Sequence, residues 1–280
     1  MIIIKHIEAV KKILSLRYKP GGSTGFVPTM GALHKGHISL LEICKAANDF
    51  CVASIFINPT QFNNPADFEK YPVTLEKDIE MLEAAGCDLL FLPLKEEIYP
   101  AGETPVHYEL GYLEDILEGT YRPGHFQGVC QVVDKLLRIV KPSTLYLGSK
   151  DYQQCMVIQK MIEVSGNKVS LQLCPTVREP DGLAMSSRNL RLDTIERKHA
   201  TAIIQALKHI KNNLTKGQTD SLTTEAVDEL KHQGFKVDYI SIADASTLLP
   251  VSAWDGNSRL IALAAAYLND IRLIDNIELN

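Results

Sequence analysis

The sequence predicts an α/β fold built on a mostly parallel sheet, and three observations lead to this prediction. Short apolar runs rich in β-branched and aromatic residues alternate with stretches of helical periodicity from residue 24 onward. At about 150 residues per domain, the 280 residues correspond to roughly two domains. The composition, 45% hydrophobic and 22% charged, is typical of a globular protein. Disordered, collagen-like and coiled-coil chains are therefore excluded.

The first part of the chain alternates strictly between strands and helices. The predicted strands are 24–28, 51–57, 88–92, 144–148 and 168–173, and the predicted helices are 37–47, 75–85, 128–140 and 151–165. Parallel strands joined through helices require right-handed crossovers, which place helices on both faces of the sheet. This alternation therefore indicates a Rossmann-like doubly wound parallel sheet, and we expect that domain to span residues 1–177.

The pattern changes after about residue 177. The predicted elements there are a long helix over 194–213, a helix near 223–233 and strands over 237–243, 259–267 and 271–274. They predict a smaller C-terminal α+β domain over residues 178–280. Neither part contains an internal repeat or a low-complexity segment.

Charge and cysteine content restrict the location and the partners. The chain contains 29 Lys and Arg residues and 34 Asp and Glu residues, so its net charge is −5. No overall basic field can therefore attract nucleic acid or an anionic membrane. The six cysteines lie in predicted core segments without zinc-ligand spacing, as expected of free thiols in the reducing cytoplasm. The apolar runs 2–4 and 260–268 are too short for a signal peptide or a membrane span. We expect a cytoplasmic protein with small-molecule ligands.

The loop after strand 24–28 carries two histidines at helical spacing, His34 and His37. Ligands of open parallel sheets bind beyond the carboxyl ends of strands, where this loop must lie. On a first helical turn the two imidazoles can donate hydrogen bonds to a phosphoryl oxygen. Alternatively, one histidine caps the helix and the other is exposed. A zinc site is disfavoured because no further ligand follows at a suitable spacing.

Two more loops follow predicted strands with suitable polar groups. Gln61 offers both a donor and an acceptor to a small hydroxy acid, or it belongs to a polar turn. Gly148 and Lys150 precede a predicted helix, so a glycine, an ammonium group and a helix N-terminus come together there. That combination suits a polyphosphate.

Two loops carry arginine. Ser186, Ser187 and Arg188 combine hydroxyl groups with a guanidinium group, which suits terminal phosphates, although the segment could instead be a linker rich in N-cap residues. Arg122 lies in a turn-rich stretch before a helix, where it could face an anion or remain in a solvated loop.

These motifs resemble those of a known family. The sequence His34-Lys35-Gly36-His37 after a strand resembles the HxGH signature of the nucleotidyltransferase superfamily. The flanking segments 26–34 and 54–62 closely resemble the pantoate-beta-alanine ligase family. Further segments that resemble this family are 121–128, 147–154, 175–189 and 272–276, the last of which we assign to packing.

The resemblance implies an ATP-dependent ligase that condenses (R)-pantoate with beta-alanine to pantothenate, a coenzyme A precursor. It implies two steps: the pantoate carboxylate attacks the α-phosphate of ATP to give pantoyl adenylate and pyrophosphate, and beta-alanine then displaces AMP. It also implies Mg²⁺ held chiefly by phosphate oxygens, with no separate protein metal site, and a homodimer. We expect residues 178–280 to close over the reactants as a lid.

The resemblance also assigns residues to the substrates. Those implied at ATP are Met30, Gly31, His34, Gly36, His37, Gly148, Lys150, Asp151, Val177, Met185, Ser186, Ser187 and Arg188, with Val177 beside the adenine. Those implied at pantoate are Gln61, Gln154, Met30 and Phe62, the last two as apolar walls. The catalytic set is His37, His34, Lys150 and Arg188, and we expect His37 to donate to the α-phosphate.

The sequence departs from the family pattern at three places. Ser149 and Lys35 each stand where glutamate is usual, and Asn269-Asp270 replaces a turn that often contains glycine. Two other functions compete with the ligase. A nucleotidyltransferase would leave the nucleotide attached to its product, and a regulatory module would bind ATP without turnover.

Overall fold

The structure, a computed structural model, describes residues 1–17 and 21–280. They fold as two compact units. The first contains Met1–Ser149 and Gln153–Thr176, and the second contains Lys150–Tyr152 and Val177–Asn280. A functional division of the chain after residue 177 stays a prediction.

The first unit contains a six-stranded sheet in which every neighbouring pair is parallel. Its strands are β1 (Ile2–Ile4), β2 (Thr24–Thr29), β3 (Phe50–Ile55), β4 (Leu89–Phe91), β5 (Thr144–Gly148) and β6 (Ser170–Cys174). Its helices are α1 (Ile7–Arg17), α2 (Lys35–Ala47), α3 (Pro65–Glu69), α4 (Leu75–Ala84), α5 (Lys95–Ile98), α6 (Glu118–Tyr121), α7 (His125–Val140) and α8 (Tyr152–Val164). Short 3₁₀ helices span Pro59–Gln61, Gly111–Glu114 and Ser149–Asp151.

Helices cover the sheet because its strands are apolar on both faces. Val27, Ala53, Leu90 and Tyr146 belong to one buried cluster that also contains apolar residues of α2 and α4. Successive residues of a strand point to opposite faces, and the neighbouring Phe26 is likewise fully buried. Helix α7 packs on β2 and α1 packs on α7. The predicted Rossmann-like arrangement is therefore confirmed.

The strand order β1-β4-β3-β2-β5-β6 fixes where a ligand can bind. From β2 the chain builds outward through β3 and β4 on one side, and β5 and β6 lie on the other side. The order therefore reverses between β2 and β5. These two strands pair only through Gly25 and Phe26, opposite Thr144 and Leu145, so the ladder ends before their carboxyl ends. A crevice at such a reversal is the usual ligand site of open α/β sheets.

The second unit is an antiparallel sheet with helices packed on it, as predicted. Its strands are β7 (Gly217–Gln218), β8 (Lys236–Asp244), β9 (Ala253–Trp254), β10 (Leu260–Leu268) and β11 (Ile271–Glu278), and β8, β10 and β11 form its three-stranded sheet in the order β11-β10-β8. Its helices are α9 (Thr194–His199), α10 (Ala202–Asn213) and α11 (Asp220–His232), and a 3₁₀ helix spans Ser187–Arg191. Helices α10 and α11 share one core with this sheet.

The single helix predicted over 194–213 is wrong, since α9 and α10 are separate. The residues between them, Ala200 and Thr201, keep helical dihedral angles, but their ψ values of −24° and −14° are shallow. The Thr201 hydroxyl donates to the Lys198 carbonyl at 2.7 Å. A side-chain hydroxyl that donates to a helix carbonyl competes with the backbone N–H groups for it, and this interrupts the backbone hydrogen bonds of the helix.

The cysteine side chains belong to the protein interior, since all six are buried. Burial raises the pKa of Cys87 to about 11 and that of Cys130 to about 12, so these thiols stay protonated and unreactive near neutral pH. Within residues 1–17 and 21–280, no helix combines the length and apolar character that crossing a membrane requires.

Candidate active site

The predicted site residues divide between the two units. The first unit contains Met30, Gly31, His34, Gly36, His37, Gln61, Phe62, Gly148 and Gln154. The second contains Lys150, Asp151, Val177, Met185, Ser186, Ser187 and Arg188.

The loop between β2 and α2 is held in an unusual conformation. Gly31 and Ala32 both have positive φ, +83° and +48°, and the second is costly for a residue with a side chain. The buried carboxylate of Asp78 on α4 accepts hydrogen bonds from the backbone N–H groups of Ala32 and Leu33 at 2.9 and 2.8 Å. The Thr74 hydroxyl donates to the same carboxylate at 2.9 Å. Asp78 therefore fixes the path of this loop.

The two histidines cap α2 reciprocally. The Gly36 N–H donates to His34 Nδ1 at 3.1 Å, and the His34 N–H donates to His37 Nδ1 at 3.3 Å. The ring centroids are 4.0 Å apart. A ring nitrogen that accepts a hydrogen bond carries no proton, so each neutral imidazole has its proton on Nε2. The capping geometry thus sets both rings as Nε2–H donors at a helix N-terminus, where anions bind favourably.

The capping also answers the alternative interpretation of the pair. One histidine capping and the other exposed would separate their roles, whereas His34 and His37 both accept backbone N–H groups and are each only partly exposed. Helix α2 consequently begins at Lys35, two residues before the predicted start. Its first turn contains no acidic side chain that would oppose an anion.

Gln61 lies beside Met30, as a shared ligand would require. The Gln61 Nε2 donates to the Met30 sulfur at 3.0 Å, and the Gln61 Oε1 accepts from Asn58 Nδ2 at 3.1 Å. Asn58 is 1% exposed, and its oxygen accepts from the Tyr99 hydroxyl at 2.8 Å. Burial raises the pKa of Tyr99, so its hydroxyl stays protonated and remains a donor. The amide orientation of Gln61 is therefore determined by its neighbours.

Helix α7 supports the same loop from the other side. Asn58 Nδ2 donates to the Gly128 carbonyl at 3.1 Å, and His125 Nδ1 donates to the Gln61 carbonyl at 2.7 Å. A Cβ on Gly128 would lie 2.4 Å from the Thr60 carbonyl oxygen, so only glycine allows this approach. Arg122 donates to the Gln61 carbonyl at 3.4 Å, which places it at the loop and not in free solvent.

Phe62 and Gln154 are two further predicted residues of the first unit. The Phe62 ring packs edge-on against Phe68 and Tyr71, with centroid distances of 5.3 and 5.8 Å. Gln154 is half-buried in the first turn of α8. The neighbouring Gln153 is buried instead, and its amide bonds to the backbone of residues 113–118.

Two further observations concern the end of β5. A Cβ added at Gly148 would meet nothing within 4 Å, so this strand end is open. The Ser149 hydroxyl bonds with the Thr176 hydroxyl at 3.2 Å.

In the second unit, residues 177–185 form a small antiparallel turn. The Met185 N–H donates to the Val177 carbonyl at 3.0 Å, which brings these two predicted residues together. The turn closes at Asp181 and Gly182, and Arg197 binds the Asp181 carboxylate at 2.7 and 3.1 Å. The Arg197 guanidinium thereby lowers the pKa of Asp181. The turn is thus anchored at its tip as well as at its base.

The phosphate-binding candidates follow this turn directly. The Ser186 hydroxyl accepts from the Arg188 N–H at 3.2 Å and caps the short 3₁₀ helix. Ser187 is buried and Arg188 is partly exposed. Hydroxyl, guanidinium and backbone donors at the start of a helical turn form a suitable phosphate-binding group.

Lys150 belongs to this second unit through its backbone. The Asn276 side-chain amide donates to the Lys150 carbonyl at 2.8 Å. Asp275, the preceding residue on β11, binds Arg178 through both carboxylate oxygens at 2.6 and 3.0 Å. The segment 272–276, assigned to packing from the sequence, therefore contacts two segments that carry predicted ATP-binding residues.

Sequence analysis missed the residues that support the loops. Asp78 could have been found, because it falls on the apolar face of α4 between Leu75 and Leu82, where a charge needs a buried partner. Asn58, Tyr99, His125, Arg178, Asp275 and Asn276 were not found either. Their roles depend on partners that lie far away in the sequence, which no local pattern reveals.

The chain is similar to known proteins over nearly its whole length. The model of the pantoate-beta-alanine ligase family matches residues 2–278. The pantothenate synthetase of Cytophaga hutchinsonii is 42% identical over 286 residues, and that of Porphyromonas gingivalis is 41% identical over 281 residues. In both comparisons the match covers 99% of each chain.

Solved structures give the same result. The crystal structure of pantothenate synthetase from Thermus thermophilus aligns with a TM-score of 0.87 at 40% identity, covering 100% of this chain and 99% of the other. The pantoate-beta-alanine ligase of Francisella tularensis, crystallised with beta-gamma ATP and beta-alanine, aligns with a TM-score of 0.84 at 38% identity. That alignment covers 100% of this chain and 98% of the other.

Proposed function

The chain belongs to the pantoate-beta-alanine ligase family, and from this premise we propose which of its residues carry out the reaction and by which steps. The protein condenses pantoate with beta-alanine to pantothenate, using ATP. We propose that a pantoate carboxylate oxygen bonds to the α-phosphorus of ATP while the bond to the β-phosphate breaks and pyrophosphate leaves. The beta-alanine amine then bonds to the carbonyl carbon of pantoyl adenylate, loses a proton and displaces AMP.

The observation that carries this proposal is the reciprocal capping of α2 by His34 and His37. In the first step negative charge grows on the oxygens of the α-phosphate. An Nε2–H donor fixed in advance stabilises that charge without having to reorganise. We assign His37 as the donor to the α-phosphate and His34 as its neighbour on the nucleotide, with Met30, Gly31, Gly36 and Gly148 also at ATP.

The second unit supplies positive charge and hydroxyl donors in this proposal. Lys150 and Arg188 would stabilise the leaving pyrophosphate, and Ser186 and Ser187 would donate to phosphate oxygens. Asp151, Val177 and Met185 complete the ATP contacts, with Val177 beside the adenine. The support for this assignment is the hydrogen-bonded turn 177–185, which contains Val177 and Met185 and leads directly to Ser186, Ser187 and Arg188.

We propose that ATP enters as its magnesium complex. Among residues 1–17 and 21–280, no three His, Cys, Asp or Glu side chains are grouped as metal ligands. Mg²⁺ commonly keeps several waters and binds through substrate phosphates, and it needs only one or two protein carboxylates. An ion that the nucleotide carries would need no group of protein ligands, and the charge it adds would neutralise the phosphates during the first step.

The deciding experiment measures pyrophosphate and AMP separately. With MgATP and pantoate alone, we expect exchange of labelled pyrophosphate into ATP, since adenylation is reversible. Sustained AMP release should need beta-alanine as well. Other small hydroxy acids serve as controls and should support neither reaction. If pantoate is inert and a phosphorylated acceptor instead releases pyrophosphate without AMP, the chain transfers nucleotides and the ligase assignment is wrong.

The assignment of Gln61 to pantoate makes a separate prediction. We expect Gln61→Ala to raise the KM for pantoate about tenfold or more, because a hydrogen-bonding amide would be lost from the hydroxy acid. The KM for ATP should change by less than about twofold. Steady-state kinetics with each substrate varied in turn checks this result. A similar rise in both constants would show that Gln61 supports the whole site and does not bind pantoate selectively.

Gln154→Ala tests the second amide in the same assay, and Gln159→Ala provides its matched control. Gln159 is exposed on the same helix and bonds only to Glu163 among the contacts described, at 3.1 Å. Gln159→Ala should leave both KM values unchanged.

We propose that Met30 and Phe62 contact the geminal methyl groups of pantoate. Phe62→Ala should therefore also weaken the binding of pantoate more than the binding of ATP.

We propose that residues 178–280 act as a lid through the loop that holds Ser187 and Arg188. A mixed anhydride hydrolyses readily, so excluding water during its lifetime favours amide formation. Hydrogen exchange followed by mass spectrometry should show slower exchange across residues 185–191 when ATP and pantoate are both present. Unchanged exchange in that segment, with protection elsewhere proving that the ligands bound, would refute the lid.

We also propose a cytoplasmic homodimer. The support is the family membership and the six buried cysteine side chains, which suit a reducing compartment. Light scattering coupled to gel filtration should give twice the mass of one chain.

A further inference from the structure

Strand β11 ends its apolar run in two polar residues that are nonetheless buried. Asp275 is 5% exposed and Asn276 is 7% exposed. Burying a carboxylate or an amide costs free energy unless hydrogen bonds replace those lost from water. Both side chains find such partners, and each partner belongs to a segment that carries proposed ATP-binding residues.

The first partner is Arg178, at the base of the turn 177–185. Its guanidinium group donates to both Asp275 oxygens at 2.6 and 3.0 Å and to the Asn276 carbonyl at 2.9 Å. It also donates to the Gly182 carbonyl at 3.1 Å, within its own turn. One planar group thus links the turn to β11 through three hydrogen bonds and makes a fourth within the turn, and a fork of this kind fixes orientation as well as distance.

The second partner is the Lys150 backbone. The Asn276 amide donates to the Lys150 carbonyl at 2.8 Å, and the Asn276 N–H donates to Asp275 Oδ1 at 2.8 Å. Asp275 and Asn276 are adjacent and bonded to each other. The position of Lys150 is therefore coupled to the position of the turn that leads to Ser186 and Arg188.

We propose that Asp275 and Asn276 are positioning residues for ATP: together they fix the Lys150 backbone and the Arg178 turn in one arrangement on β11. Neither side chain touches the substrate in this proposal. It rests on the proposed roles of Lys150, Ser186, Ser187 and Arg188 in binding ATP. The consequence is that loss of either side chain selectively weakens the binding of ATP, while the contacts with pantoate stay intact.

The same strand provides a comparison. Arg272 on β11 and Asp238 on β8 form an ion pair at 2.8 Å, with side-chain exposures of 14% and 9%. This pair is as buried as Arg178 and Asp275, whose values are 24% and 4%. It links two strands of the sheet, whereas the Arg178 pair links the sheet to a loop. The two pairs therefore separate a stabilising role from a positioning role.

The test compares Asp275→Asn and Asn276→Ala with two matched controls. Asp238→Asn breaks the other Arg–Asp pair. Asn280→Ala removes an amide whose described partners are the Ser258 carbonyl, at 2.9 Å, and the Leu260 N–H, at 2.8 Å, which both lie outside the two loops. For each purified full-length variant we would measure the thermal midpoint, the KM for ATP and for pantoate in pyrophosphate exchange, and the Kd for ATP by titration calorimetry.

We expect Asp275→Asn and Asn276→Ala to raise the KM and Kd for ATP about tenfold, because small displacements of binding groups cost this much or more. The KM for pantoate should stay within about twofold. Both constants are independent of the fraction of folded protein. Asp238→Asn should lower the thermal midpoint as much as Asp275→Asn while leaving the ATP constants unchanged.

Three outcomes overturn the inference in different ways. If Asp275→Asn and Asn276→Ala only lower the thermal midpoint, as Asp238→Asn does, the two residues merely stabilise the sheet. The variant Lys150→Ala is measured alongside. If Lys150→Ala itself leaves ATP binding and exchange unchanged, the proposed role of Lys150 is wrong, and the inference falls with it. Weak ATP binding by Lys150→Ala together with normal binding by the Asp275 and Asn276 variants contradicts the positioning role alone.

Discussion

His37→Ala should fold and yet lose about 10²–10³ of the adenylation rate, the effect of removing one preorganised donor to a developing oxyanion. The variant also loses one half of the reciprocal cap on α2, which costs about 1 kcal/mol of stability. That cost is too small to unfold the protein. Pyrophosphate exchange at saturating ATP and pantoate measures the rate, and circular dichroism measures the fold.

Two replacements separate the cap from the donor. Asparagine at position 37 can present an acceptor near Nδ1 but has no group at Nε2, whereas glutamine can reach the Nε2 position with an N–H. We therefore expect His37→Asn to be as slow as His37→Ala and His37→Gln to recover part of the rate. Equal recovery by both replacements would mean that the cap, and not the Nε2 donor, is what the reaction needs.

The largest expected loss of stability follows from Asp78→Ala. The change leaves the buried N–H groups of Ala32 and Leu33 without their acceptor, and each such loss costs about 1–3 kcal/mol. We expect the free energy of unfolding to fall by about 2–6 kcal/mol. Because the Asp78 carboxylate then no longer supports the positive φ of Ala32, the loop should relax and displace His34. Adenylation should slow about tenfold or more in the folded fraction.

Denaturant titration and exchange kinetics check these two effects together. Glu80→Ala is the control, because Glu80 is exposed on the same helix. Asp78→Asn keeps one oxygen acceptor and should lose less stability than Asp78→Ala. If Asp78→Ala were as stable and as active as Glu80→Ala, the loop between β2 and α2 would be held by its own backbone, and Asp78 would have no part in the site.

The core of the fold could be predicted because its signals are local. Strands β2 to β6 are apolar segments whose periodicity differs from that of the helices between them, and each was predicted to within a few residues. The ends of elements were less predictable. Helix α7 begins at His125, three residues before the predicted start, because Gly124 adopts a positive φ of +76° and stops the turn there.

Some elements are too short or too polar for a sequence pattern. Strand β1 has only three residues and gains its stability from pairing with β4. Strand β11 was predicted over 271–274, yet it continues to Glu278, because Asp275 and Asn276 find buried partners. The turn before it contains Asn269, whose φ of +50° is one that asparagine adopts more readily than most residues with a side chain.

In the candidate site, too, features with a local sequence signal were predictable and features that depend on distant partners were not. The histidine pair and the loops at strand ends were predictable, since chemistry-bearing side chains followed strands that could be recognised. The tautomers of His34 and His37 were not, because they depend on backbone donors whose direction only the folded loop defines. The supports of Gln61 and Lys150 were hidden for a related reason: Asn58 and Asn276 are ordinary polar residues until their distant partners are known.

The link between Lys150 and Asn276 sets an order of events during protein synthesis. Ribosomes add about 5–20 residues per second, so the 126 residues that separate these two positions take about 6–25 s to make. Asp78, only 46 residues after Ala32, is available far sooner. A nascent chain therefore completes the histidine loop early, while Arg178 and Lys150 wait for Asp275 and Asn276. A chain stalled before residue 275 would contain both histidines but would lack the contacts of Asp275 and Asn276 with Arg178 and Lys150.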